Sequence, residues 1–134
     1  VLCSVSTGQD TKVGCDIEEM KEPNLKIARR FFCPAEYEQI AGEKNGSLRQ
    51  EYFYRYWVLK ESFAKATREG LALGMDTFEI ALGSPPVLIQ QPEKYPEEYH
   101  YREAFVGGRY RAAVCSTDPV IEEIIQADLR DLQR

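Results

Sequence analysis

Trp57-Val58-Leu59-Lys60-Glu61-Ser62-Phe63-Ala64-Lys65 stands at the centre of the longest helical pattern in the chain. Phe53, Tyr56, Trp57, Lys60, Phe63 and Ala64 recur at three- and four-residue steps, the period that lays an apolar stripe along one side of a helix. Lys60 puts a charge inside that stripe. Glu61 and Lys65, four apart, share another face, where the bland reading is an exposed ion pair worth about 0.3 kcal/mol. The polar loop Glu43-Lys44-Asn45-Gly46 precedes the helix, and Gly70 is its expected stop.

Working outward toward the N-terminus, Pro34 fits the first position of a further helix that ends near Gly42, with Cys33 as an uncommon N-cap. A short amphipathic stretch, Leu25-Lys26-Ile27-Ala28-Arg29-Arg30-Phe31-Phe32, comes before it. Residues 1–6, the turn Thr7-Gly8-Gln9-Asp10 and residues 12–18 read as a β-hairpin. In its second strand Val13, Cys15 and Ile17 occupy one face, so Gly14, Asp16 and Glu18 occupy the other. Two carboxylates on one strand face, about 7 Å apart, suit a hard divalent cation, although most such pairs are a solvated surface.

Beyond Gly70, strand-like runs lie at Thr77–Leu82, Val87–Gln90, Tyr99–Val106 and Tyr110–Ser116, the last two joined by a hairpin at Gly107-Gly108. Val120–Arg134 reads as a strand followed by a short helix, and residues 118–134 as a C-terminal extension. The expected fold class is α+β, an antiparallel sheet packed against a long helix, in a single domain over 1–134.

Composition agrees with one domain. The 134 residues are 43% hydrophobic and 29% charged, enough for a single core and too few for two. Seventeen Lys and Arg against 22 Asp and Glu leave a formal charge of −5, which argues against nucleic acid as the main partner. No apolar run nears the ~18 residues of a membrane span, and no signal-peptide pattern opens the chain, so a cytoplasmic location is expected. Cys3, Cys15, Cys33 and Cys115 are far apart, and His100 is the one histidine, so the cysteines read as reduced core thiols rather than zinc ligands.

Taken together, Val13-Gly14-Cys15-Asp16-Ile17-Glu18, Phe31-Phe32-Cys33-Pro34-Ala35-Glu36-Tyr37 and Trp57 to Lys65, with Gly70-Leu71 beyond, resemble the signature of 4′-phosphopantetheinyl transferases of the Sfp type. The resemblance runs from residue 1 to roughly residue 116. It implies Mg²⁺-dependent transfer of the 4′-phosphopantetheine arm of coenzyme A to a serine of an acyl or peptidyl carrier protein, releasing 3′,5′-ADP. By motif it implies Asp16, Glu18 and Glu61 as magnesium ligands and Lys60 and Lys65 as phosphate-binding lysines. Lys60 is also offered as proton donor to the leaving phosphate, Glu61 as the base for the carrier serine, and Glu36 as the alternative base.

The resemblance further implies that residues 20–32, with Met20, Lys21, Leu25, Ile27 and Phe32, lie near the docked carrier protein, whose acidic helices suit lysines beside apolar side chains. Packing on the chain's own core is the competing reading of that stretch. His100 and the tyrosines at 52, 54, 56, 99, 101 and 110 read as structural. Sfp-type enzymes are pseudo-dimers of two α+β halves, and this chain resembles the second. The expectation is therefore a fragment that works with an N-terminal half. A homo-oligomer like the trimeric holo-acyl-carrier-protein synthases, or a non-catalytic module binding carrier or coenzyme A, are the alternatives.

Overall fold

In a computed structural model describing residues 2, 4, 6, 8 and 10–125, the chain folds as β1 (Val13–Glu19), α1 (Leu25–Phe31), α2 (Pro34–Ala41), α3 (Gly46–Ala66), a 3-10 turn (Gly70–Leu73), β2 (Glu79–Ala81), β3 (Val87–Gln90), β4 (His100–Val106) and β5 (Tyr110–Ser116). The sheet order is β1-β5-β4, antiparallel throughout, with α3 lying across β1 and β5. A second, two-stranded sheet pairs β2 with β3. The expected antiparallel sheet against a long helix is the architecture observed.

Local chemistry explains the helix boundaries. The Asn24 side chain accepts the backbone N–H groups of Lys26 and Ile27 at the start of α1, and Asn45 does the same for Ser47 and Leu48 at the start of α3. α2 begins at Pro34 with Cys33 as N-cap and ends before Gly42, as its sequence predicts. α3 stops at Ala66, four residues short of the expected Gly70. Arg68 adopts a φ of 64°, which ends the helix, and the Thr67 hydroxyl donates to Ala64 O. β2 is shorter than the expected Thr77–Leu82, because the Thr77 hydroxyl donates to Leu73 O and Gly74 O and holds that residue in the preceding turn.

The core forms where α3 meets small residues. Ala113 and Cys115 on β5 are fully buried, and their short side chains let the sheet lie close beneath the helix. Phe63 packs on Phe78 and Tyr99 at ring-centroid distances of 4.5 and 4.9 Å. Burial of each such ring stabilises the fold by roughly 2–3 kcal/mol. Phe32 joins Phe53, Tyr56 and Trp57 in a second aromatic cluster under α1. Arg55 donates to both carboxylate oxygens of Glu103, at 2.9 and 2.8 Å, and so ties α3 to β4.

The polar face of β1 is the one that packs on α3. Gly14 and Asp16 are buried, while Val13, Cys15 and Ile17 are only half-buried on the other side. A Cβ on Gly14 would lie 2.3 Å from both Ala66 N and Ser62 O, so strand and helix meet backbone to backbone. Gly107 and Gly108, at φ of 61° and 74°, make the β4–β5 turn in a conformation that L side chains disfavour.

The expected strand over residues 1–6 and the expected C-terminal helix lie in part outside the described residues. Residues 120–125 carry no regular secondary structure.

Candidate active site

β1 and α3 run alongside each other from Gly14, which touches the last turn of the helix, to Glu18, which lies near the Trp57 indole. Between these points Lys65 Nζ donates to Asp16 Oδ1 at 2.8 Å, with Asp16 8% exposed and Lys65 49% exposed. Glu61, one turn back from Lys65 on the same helix face, is close enough to Asp16, Glu18 and Lys65 to feel their charges. The expected ion pair between Glu61 and Lys65 is thus part of a larger cluster. Lys65 makes its hydrogen bond across to the strand.

All three carboxyls are pushed above their ordinary values. For Asp16 burial is the main cause, and it outweighs the hydrogen bond and charge of Lys65. For Glu18 and Glu61 burial comes first again, followed by the repulsion of Asp16. Burial lowers Lys65, but the hydrogen bond to Asp16 and the charges of Asp16 and Glu61 outweigh it and hold the ammonium in its charged form. Asp16 Oδ2 is buried with no hydrogen-bond partner. Three crowded, desolvated carboxylates with one orphaned oxygen are short of positive charge.

A hard divalent cation fits that deficit. Asp16, Glu18 and Glu61 offer oxygen donors from a strand and its neighbouring helix, the type Mg²⁺ takes, and Asp16 Oδ2 has no other use. As the side chains stand, no three His, Cys, Asp or Glu residues among those described already close to metal-binding distances. Lys65 serves Asp16 instead.

Lys60 and Glu36 do not join this cluster. Lys60 is 0% exposed and Glu36 1%, paired with each other at 2.9 Å in the interior. The sequence expectations of phosphate binding and leaving-group protonation for Lys60, and of an alternative base at Glu36, find no support here, since neither side chain has surface to meet a substrate. The pattern that made Lys60 stand out was accurate: it does occupy the apolar stripe, and it is buried there.

Other expectations resolve residue by residue. Lys26, Arg29, Arg30 and Phe31 form an exposed surface on α1, with Lys21 also exposed, whereas Phe32 belongs to the core. Cys33 and Cys115 are buried thiols, pushed up by burial to about 11 and about 12, values that leave them unreactive. Cys15 is half-buried, and Cys3 lies outside the described residues. His100 sits on β4 opposite Ser116, away from the carboxylates. Two residues of the quoted motifs had been given no role at the site: Gly14, whose missing Cβ lets β1 lie against α3, and Trp57 beside Glu18. The signals were present, a glycine two residues before Asp16 and an indole one turn before Glu61.

Residues 12–115 match the sequence profile of the 4′-phosphopantetheinyl transferase superfamily. The chain belongs to this superfamily. Among curated relatives of this superfamily, the 4′-phosphopantetheinyl transferase Sfp of Bacillus subtilis (strain 168) is 36% identical over 126 residues, 93% of this chain and 54% of that protein. Another 4′-phosphopantetheinyl transferase of Bacillus subtilis is 36% identical over 121 residues, 89% of this chain and 51% of its own length. The chain therefore spans about half the length of these superfamily relatives. The superfamily fold is seen in a holo-(acyl-carrier-protein) synthase of Bacillus anthracis solved in complex with CoA (3′,5′-ADP), with a TM-score of 0.62 and 21% identity over 78% of this chain and 93% of that one.

Proposed function

We propose that this chain is the metal-binding half of a Mg²⁺-dependent 4′-phosphopantetheinyl transferase that modifies a serine of an acyl or peptidyl carrier protein. The observation that carries the reading is the assembly of Asp16, Glu18, Glu61 and Lys65 along the β1–α3 contact, with one carboxylate oxygen left orphaned. Asp16, Glu18 and Glu61 would hold the ion, which when bound neutralises charge on the pyrophosphate of coenzyme A.

The chain's own residues do the rest. Half-exposed Lys65 has room to turn its ammonium to a pyrophosphate oxygen while staying beside Asp16, and so stabilises the charge that builds on the leaving phosphate. Glu61, the carboxylate beside the ion site, accepts the proton of the carrier serine. The serine oxygen forms a bond to the β-phosphorus. The bond from that phosphorus to the bridging oxygen breaks, and 3′,5′-ADP departs with the electron pair. Lys21 and the exposed Lys26, Arg29, Arg30 and Phe31 of α1 supply a basic, partly apolar docking surface for an acidic carrier.

A matching N-terminal half completes the enzyme in this proposal, in line with the coverage of its relatives. Self-association is the second arrangement, favoured by the match to nearly the whole of a shorter synthase chain. The proposal includes a cytoplasmic location, where reducing conditions suit the free thiols of Cys15, Cys33 and Cys115.

The test is the intact mass of an apo carrier protein incubated with the chain, coenzyme A and Mg²⁺, with and without the matching N-terminal half and with EDTA as control. A phosphopantetheine mass gain abolished by EDTA supports the reading. Gain with the chain alone selects self-association. No gain under any condition, with coenzyme A binding retained, would instead select a non-catalytic module. Lys65→Ala is expected to weaken coenzyme A binding about tenfold, roughly 1.4 kcal/mol, with carrier affinity unchanged. Isothermal titration against each ligand checks it, and the opposite ordering would remove Lys65 from the phosphate site.

A further inference from the structure

Lys60 heads the largest fully buried side chains among the described residues, a rare place for a lysine. Its Nζ donates to Met75 O at 2.6 Å and to Phe78 O at 2.5 Å, and lies 2.9 Å from Glu36 Oε1. Three acceptors use all three donors of a lysine head group. Glu36 is equally engaged. Its Oε1 also accepts the backbone N–H of Cys33 at 2.9 Å, and its Oε2 accepts that of Ile80 at 2.8 Å. The pair therefore joins α2, α3, β2 and the segment before β2 at one point.

A fully satisfied buried ion pair is often no more stabilising than apolar side chains of the same volume. What it adds here is direction. Three acceptors around Lys60 add a directional restraint on the rotation of α3 to those of the Arg55–Glu103 pair and the Gly14 contact, where apolar contacts on that side would tolerate slip. Successive helix residues point about 100° apart, so fixing Lys60 turns both Glu61 and Lys65 toward β1. A 10° rotation at a side-chain radius of about 5–6 Å displaces their tips by about 1 Å. Misplacement on that scale can cost about 10²-fold in rate.

We propose that Lys60 and Glu36 are positioning residues, a sealed ionic junction that sets the rotation of α3 so that Glu61 and Lys65 face Asp16 and Glu18. The kinetic consequences rest on the transferase reading. The structural consequence does not.

Trp57, the single tryptophan, is on α3 with Lys60 and lies beside Glu18 of β1, so it reports the rotation of the helix without any reaction. The experiment compares the parent with a double variant, Glu36→Leu with Lys60→Met, each with the matching N-terminal half for kinetics. The double variant is expected to unfold cooperatively near the parent temperature while its Trp57 indole N–H resonance shifts. The Mg²⁺ concentration for half-maximal transfer should rise at least about tenfold, and the shape of the pH–rate profile should stay the same. Lys60→Met alone leaves a buried carboxylate without its partner and should unfold at a lower temperature than the double variant.

A folded double variant with the parent's indole shift and Mg²⁺ requirement would overturn the proposal. So would loss of one limb of the pH profile with the Mg²⁺ requirement unchanged, since that assigns Lys60 or Glu36 to proton transfer. Should the double variant not fold, the same readouts on the isosteric Glu36→Gln decide, with a smaller indole shift and a raised Mg²⁺ requirement expected and no change in either overturning the proposal. An indole shift in a protein whose parent form transfers nothing would sink the transferase reading and leave the positioning role standing.

Discussion

Gly14→Ala is expected to cost about 3 kcal/mol, the upper end for an overpacked contact and a large share of a domain's stability. The added methyl would stand 2.3 Å from Ala66 N and Ser62 O and 2.9 Å from Lys65 C. All three are backbone atoms of the last turns of α3, so no side-chain rotation can clear them. β1 must move off the helix by more than an ångström, and the pairing of Asp16 with Lys65 goes with it. The penalty is steric, since Gly14 is not among the glycines with positive φ. Urea unfolding followed by Trp57 fluorescence measures it. A midpoint within experimental error of the parent would show that β1 lies farther from α3 than described.

Glu61→Gln is expected to lower carrier modification by at least about 10²-fold while making the metal-free chain more stable at neutral pH. The loss follows from the two roles proposed for the carboxylate, oxygen donor to the cation and acceptor of the serine proton. The gain follows from electrostatics. Burial, and then the charge of Asp16, raise the Glu61 carboxyl above its ordinary value of 4.5. A raised native value means that the folded state holds the proton more tightly than the unfolded chain does. This group therefore favours the fold most below about pH 4.5, and the contribution is lost as pH rises through the native value.

Glutamine carries no such charge. The variant's thermal midpoint should exceed the parent's at pH 7 without metal, and the difference should close toward pH 4. Adding Mg²⁺ should raise the parent's midpoint and leave that of Glu61→Gln almost unmoved. Full transfer activity in the variant would remove Glu61 from both roles. A variant less stable than the parent at pH 7 would show that the cluster is already neutralised by another group.

The two outcomes are linked by one physical fact. Asp16, Glu18 and Glu61 are held together at a cost to the folded chain, and Lys65 offsets only part of it. Stability given up at a site that awaits a ligand is a common feature of functional clusters. In this chain it is legible as an orphaned oxygen on Asp16.

Local signals in the chain were sufficient for the elements and for part of the site. Pro34 at a helix start, Gly107-Gly108 at a hairpin and the alternation from Val13 to Glu18 act over a few residues, so they can be read before any tertiary contact is known. The same holds for the spacing that puts Glu61 and Lys65 on one face of α3, and for the two carboxylates on one face of β1. Even the odd position of Lys60 within an apolar stripe was visible.

What only the tertiary structure decided is which partner each charge meets. Lys60 and Lys65 sit on the same helix five residues apart, and the family resemblance implies a phosphate role for both. One points into a closed interior where Glu36, Met75 O and Phe78 O take every donor it has, and the other stands half-exposed beside Asp16. Glu36 and Glu61 divide in the same way. The difference arises from contacts between residues 15 to 50 positions apart, brought together by the packing of α2, β1 and the segment before β2 on α3. Helical periodicity fixes the angle between neighbouring side chains on one element, but burial and pairing depend on what the rest of the fold lays against each of them.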